Sequence, residues 1–264
     1  MKVNGKVIWI TGASSGIGEA LTYACAKKGA KLIISARRKA ELERVKAGCP
    51  SDTHRHIEIL PIDLAASSTL KLTAEAAIQL FGRIDILVNN GGISQRSLAL
   101  DTDLSVDRKL MEINYFGTLT LTKAVLPHML QNGSGQIAIV SSLVGKFGTP
   151  YRSGYAASKH ALHGFFDSLR AELPKSITIT MICPGFIKTN VSINALTEDG
   201  SELGRMDDAQ AQGMPADLFA AKMLSAIEAG KDEVYIGGKE TFAVYVKRLF
   251  PAIFSRIVRK AKVR

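Results

Sequence analysis

Short apolar runs alternate along most of the chain with longer stretches in which apolar residues recur at helical spacing. The runs at 7–11, 31–36, 57–61, 84–88, 136–141, 177–182 and 233–236 are rich in Val and Ile and predict strands. Between them, the stretches at 16–28, 39–47, 67–81, 103–130 and 152–173 predict helices. The runs at 84–88 and 137–140 hardly alternate, as befits strands buried on both faces. This alternation predicts one α/β domain: a doubly wound parallel sheet of about seven strands, with right-handed crossovers and helices on both faces.

Two stretches depart from the rhythm. Residues 192–213 are polar, rich in Asp, Glu, Gly and Ser, and follow the sixth strand. That is the carboxyl edge where doubly wound sheets bind ligands, so a substrate loop is expected there. Residues 245–264 predict a basic amphipathic helix appended to a nucleotide-binding domain at 1–244. Tyr245, Val246, Leu249, Phe250, Ile253, Phe254, Ile257, Val258 and Ala261 form one apolar stripe, and Pro251 is expected to kink or divide the helix.

Charge sharpens the picture of this tail. Of the net +10, seven basic residues fall at 245–264 with no acidic residue among them, so the rest of the chain is nearly balanced. Such a helix suits an anionic membrane interface, and it equally suits packing on the domain or on a second subunit. Nucleic-acid binding is not expected, because the basic residues flank an unbroken apolar stripe. With 264 residues, 46% of them apolar, the chain can bury a core without disulfides or metal. Cys25, Cys49 and Cys183 read as reduced thiols, and the first apolar run is too short to span a bilayer. A cytoplasmic protein, with peripheral membrane contact through the tail as one option, is the expectation. His54 and His56 lack a third ligand nearby in sequence, His160 and His163 are expected to pack or to contact a subunit, and no metal site is predicted.

The candidate chemistry begins after the first strand, in the loop Gly12-Ala13-Ser14-Ser15-Gly16-Ile17-Gly18. Glycines there allow a tight turn, a close approach to a pyrophosphate and close helix–sheet packing, while helix N-terminal amides receive the phosphate charge. The second strand ends on Arg37 and Arg38, where an acidic residue would bind a ribose 2′-hydroxyl. Arginine suits a 2′-phosphate, which predicts NADP(H) over NAD(H).

Tyr155 and Lys159 stand four apart on a predicted helix and share a face. A tyrosine near its usual pKa of ~10 is a poor base, and a neighbouring ammonium favours the phenolate. Ser142 closes the fifth strand at the ligand edge. Asn114 lies within the helix expected at 103–130, and Asn89-Asn90-Gly91-Gly92 ends the fourth strand.

Taken together, these motifs resemble the short-chain dehydrogenase/reductase family, whose fold is Rossmann-type. The matching pieces also include Asp63-Leu64 and Pro184-Gly185-x-Ile187-x-Thr189, and the resemblance runs over residues 5–190. It implies that Tyr155 is the acid/base, that Ser142 orients the substrate carbonyl, and that Lys159 binds the nicotinamide ribose. The backbone of Asn114 would hold a relay water. Asp63 and Leu64 would contact adenine and Asn90 the adenosine-side ribose region, while Pro184, Gly185, Ile187 and Thr189 would frame the nicotinamide. Gly91 departs from the family's usual Ala. The tail resembles the branch near the 11β-hydroxysteroid dehydrogenases and the dehydrogenase/reductase member 7 type. That implies a lipophilic ketone or alcohol as substrate and a homodimer or homotetramer as the assembly. The competing expectation is a catalytically silent NADP-sensing protein, which predicts loss of Ser142, Tyr155 or Lys159, all of which are present.

Overall fold

The computed structural model describes residues 2–261. In chain order its regular elements are β1 (Val7–Thr11), α1 (Gly16–Lys27), β2 (Lys31–Ser35), α2 (Lys39–Ala47), β3 (Ile57–Ile59), α3 (Ser67–Phe81), β4 (Ile86–Asn89), α4 (Leu104–Met111), α5 (Thr118–Gln131) and β5 (Gly135–Val140). There follow α6 (Ser153–Glu172), β6 (Ile177–Pro184), β7 (Ile187–Lys188), α7 (Asp208–Ala211), β8 (Met214–Pro215), α8 (Ala216–Glu228), β9 (Glu233–Ile236), α9 (Ala243–Leu249) and α10 (Pro251–Val258).

Seven strands form one parallel sheet in the order β3-β2-β1-β4-β5-β6-β9, which confirms the doubly wound expectation. Period-two alternation sends successive β1 residues to opposite faces. Ile8 and Ile10 join Leu21, Val45, Phe219 and Met223 of α1, α2 and α8. Trp9 instead meets Leu70, Leu121 and Phe166 of α3, α5 and α6. The indole nitrogen of Trp9 donates to Ser35 Oγ at 2.8 Å, so this large ring is buried with its polar atom satisfied.

The order reverses between β1 and β4, with Ile8 beside Ile86 and Ile10 beside Val88. A crevice therefore opens at the carboxyl ends of these two strands. Thr11 and Asn90 fix its floor. Thr11 Oγ1 accepts from the amides of Asn90 and Gly91, each at 3.0 Å, and the Asn90 side chain donates to the carbonyls of Thr11 and Gly12.

One expected element is corrected. The single helix at 103–130 is instead α4 and α5 joined by a π-helical turn over Glu112–Gly117. A widened turn of this kind shifts the register of the helix face by one residue, which apolar periodicity does not disclose.

Candidate active site

At Gly12 and Gly18 the loop packs too tightly for a side chain. Gly12 has φ +65° and Gly16 φ +57°, a region that favours glycine. A methyl group at Gly12 would lie 2.7 Å from Gly91 Cα. One at Gly18 would run into the Gly12 carbonyl oxygen. Ser15 makes no side-chain cap on α1, so its hydroxyl does not occupy the first amides of that helix. A cradle this close to the backbone, opening on a helix N-terminus, fits the pyrophosphate of a dinucleotide.

Most residues expected from sequence face one continuous cleft of about 1140 Å³. Ser14, Ser15, Gly16 and Ile17 line it at one end with Arg37, Arg38, Asp63, Leu64, Asn90 and Gly91. Ser142, Tyr155 and Lys159 line the other end, with Pro184, Gly185, Ile187 and Thr189 along one wall. Two expected residues do not line it. Gly18 packs closely against Gly12 and the Asn90 side chain. Asn114, fully buried in the π-helical turn, accepts from Ile93 N at 2.8 Å and donates to Ile93 O and Ser158 Oγ. Its side chain ties the exit of β4 to α6, and its own carbonyl accepts from Thr118 Oγ1 at 2.9 Å. Gly91 also gains a reason: a methyl there would come 2.7 Å from Leu64 Cδ1.

At the reactive end, Lys159 Nζ donates to the Val140 carbonyl at 2.9 Å and stands 5.8 Å from the Tyr155 ring centre. Burial lowers the Lys159 pKa to about 8. Burial raises the pKa of Tyr155, against the pull of the Arg152 guanidinium, a hydrogen bond with Ser142, and Arg96. The expected help from Lys159 to the phenolate thus comes here from Arg152 first. Gly92 keeps space between the partners, since a methyl there would lie 3.0 Å from Asn114 Oδ1 and 3.6 Å from Lys159 Nζ.

Behind Ser142, the neighbouring Ser141 hydroxyl pairs with His163 Nε2 at 2.9 Å. His163 is buried behind the cleft lining, in keeping with the packing role expected for it. Among the described residues His163, Cys183 and Glu233 bring ligand-type atoms within 4.8 Å of one another. Lys146 already neutralises Glu233 from 2.6 Å.

Several cleft residues carried no sequence motif. Arg96 and Arg152, both buried, approach the cleft beside buried Asp207. The 192–213 segment is folded over the opening: Arg96 N donates to Leu196 O at 2.8 Å, and Asn194, Leu196, Glu202 and Gln210 line the cleft. The tail is divided at Pro251, which takes the first turn of α10, a position that needs no amide donor. Its apolar stripe is divided as well. Phe254 is buried against Phe147, with ring centres 5.1 Å apart, and Val258 lines the cleft. Tyr245, Leu249, Phe250, Ile253 and Ile257 are exposed. Beyond the break at Pro251, α10 turns Phe254 and Val258 inward. Lys262 and Arg264 of the expected helix lie outside the described residues. No described helix is long and apolar enough to cross a membrane.

A strand-end serine, a Tyr-x-x-x-Lys helix and a glycine cradle on one cleft define the class of an NAD(P)-binding oxidoreductase fold. The family model described as short chain dehydrogenase matches residues 6–200. The human "Dehydrogenase/reductase SDR family member 7" is 46% identical over 235 residues, covering 87% of this chain and 69% of the human protein. The Drosophila melanogaster "Dehydrogenase/reductase SDR family protein 7-like" is 41% identical, covering 98% and 81%. The mouse member 7B is 43% identical, covering 96% and 80%. Among solved structures, a short-chain dehydrogenase/reductase from Burkholderia phymatum in complex with NAD superposes with TM-score 0.83 at 21% identity, covering 100% of this chain and 98% of that one. An alcohol dehydrogenase from Thermococcus sibiricus complexed with 5-hydroxy-NADP gives 0.77 at 24% identity, covering 89% and 97%. The chain belongs to the short-chain dehydrogenase/reductase family and resembles its member 7 and 7B branch.

Proposed function

We propose that the protein is an NADP(H)-dependent oxidoreductase that interconverts a ketone or aldehyde and an alcohol on a lipophilic substrate, with Tyr155 as its acid/base. The observation that carries this is the single cleft joining the glycine cradle and Arg37-Arg38 to Ser142, Tyr155 and Lys159. When bound, the nicotinamide group supplies the hydride in reduction and takes it up in oxidation. The protein handles the oxygen. Ser142 and Tyr155 donate hydrogen bonds to the substrate carbonyl, and the phenol passes its proton to the oxygen as negative charge develops there. In oxidation the phenolate removes the hydroxyl proton. Lys159 gives one N–H to Val140 and keeps the others for the cleft. Leu143, Val144, Phe147 and Phe254 supply an apolar wall, so the inward face of the tail forms part of the substrate site. The 192–213 segment closes the remaining side as the substrate loop.

Arg37 and Arg38, both exposed on the cleft edge, set the expected cofactor preference. Charge-assisted contacts to a 2′-phosphate should favour NADPH over NADH by about tenfold or more in kcat/KM. The Arg37→Ser/Arg38→Ser double variant should lose most of that ratio. Steady-state kinetics with both cofactors is the test, and equal efficiency in the wild type would contradict it.

A pH effect follows from Lys159. With its pKa lowered to about 8 by burial, the ammonium loses its proton as pH rises through that value. Tyr155 is shifted upward, so the proton donor survives into the same range. The kcat/KM for carbonyl reduction should therefore fall on the alkaline side of about 8. Lys159→Arg, which keeps its charge, should flatten that limb. A wild-type profile that stays level through the alkaline range would contradict the assignment.

A further inference from the structure

Arg152 is a buried cation that shares its nearest carboxylate with a second arginine. Its side chain is only 8% exposed, yet it lines the cleft three residues before Tyr155. Neither Nε nor Nη2 has a hydrogen-bond acceptor among the described residues. The carboxylate nearest to it, Asp207 Oδ2, is 3.7 Å away. That oxygen already receives Arg96 Nε at 2.7 Å and Arg96 Nη2 at 2.5 Å. Two buried guanidinium groups thus share one carboxylate. The surplus positive charge is costly in so dry a place unless a ligand answers it.

The surroundings hold the group ready. The Phe186 ring lies 5.8 Å from the Arg152 guanidinium carbon, within cation–π range. Burial, with repulsion from Arg96, lowers its pKa to about 10, which still leaves it charged at neutral pH. Free N–H donors in a fixed fork match a carboxylate better than any neutral acceptor. Around them the walls from Leu143, Phe147 and Phe254 are apolar.

We infer that Arg152 is an anion-binding residue of the substrate site and that the substrate is an amphiphilic oxo or hydroxy acid, with a carboxylate on an apolar body. This rests on the carbonyl chemistry proposed above and adds a second anchor to it. The carboxylate pairs with Arg152 while the carbonyl lies at Tyr155, so one ion pair orients an otherwise greasy molecule. Arg96 occupies Asp207 Oδ2 at hydrogen-bond distance, which leaves the Nε and Nη2 donors of Arg152 to the ligand.

The test uses a homologous series of methyl-ketone carboxylates and their matching primary amides, with NADPH. At the best chain length the wild type should prefer acid over amide by roughly tenfold to a hundredfold in kcat/KM. In Arg152→Met that ratio should fall close to unity, and Arg152→Lys should keep part of it. The ratio cancels any effect of the substitution on Tyr155. Calorimetric titration with the same acids and amides reads binding apart from turnover. Acids that bind through Arg152 without being reduced would uphold the anion site and sink the carbonyl chemistry. Reduction of acid and amide with equal efficiency would overturn the inference, and the wild type alone decides this if a variant does not fold. An Arg152→Met enzyme with a shifted pH profile but an unchanged ratio would also overturn it, reducing Arg152 to a tuner of Tyr155.

Discussion

Tyr155→Phe is expected to lower kcat/KM for carbonyl reduction by roughly a hundredfold to ten-thousandfold, the usual worth of a positioned general acid. The substitution removes one hydroxyl and keeps the ring. Lys159 Nζ still has its bond to Val140, and Ser142 Oγ still accepts from Val144 N. NADPH should accordingly bind within about twofold of wild type, since the lost group acts on the substrate oxygen. The hydride would then have to move without a proton ready for the developing oxyanion. Fluorescence titration of NADPH alongside initial rates separates these effects. A variant that fails to bind NADPH would assign Tyr155 to structure, and one that keeps its rate would assign the proton to another donor.

Gly18→Val is expected to raise the Kd for NADPH about a hundredfold or more, because the loop must place its amides on the pyrophosphate within a fraction of an ångström. A side chain at this position meets the Gly12 carbonyl oxygen and comes 2.7 Å from Asn90 Nδ2. Both belong to the stitching that holds β1 to β4, so α1 must tilt away from the sheet and carry the cradle with it. Gly164→Ala in α6 is the control. Nothing lies within 4 Å of its added methyl, and it should be neutral or stabilising by up to about 1 kcal/mol. Thermal melts and NADPH titrations of the two variants are the comparison. Tight NADPH binding by Gly18→Val would show that the loop is not a cofactor cradle.

The parallel sheet was legible because its strands are buried on both faces and are separated by helices of clear period. The glycine loop and Tyr155-x-x-x-Lys159 were legible because backbone approach and helical spacing fix residue type at fixed intervals. The π-helical turn was not, since Ile113, Phe116 and Leu119 satisfy ordinary helical periodicity as well. Arg152 stands three residues from Tyr155, yet its meaning depends on Arg96 and Asp207, which are 111 positions apart in sequence. Pair distances of that kind leave no local pattern. The tail showed its amphipathic composition plainly. Its division into an inward face at Phe254 and an outward face at Leu249 and Ile253 depends on what it packs against, the Phe147 side of the cleft.

The most direct test of the central claim is NADPH oxidation by the wild type and by Tyr155→Phe, side by side, across a panel of lipophilic ketones that includes oxo acids. The account predicts stoichiometric reduction to the alcohol by the wild type, and loss of that reaction in the variant with NADPH binding retained. A wild type that binds NADPH tightly and reduces no member of the panel, or a variant that reduces them as well as the wild type, would contradict it.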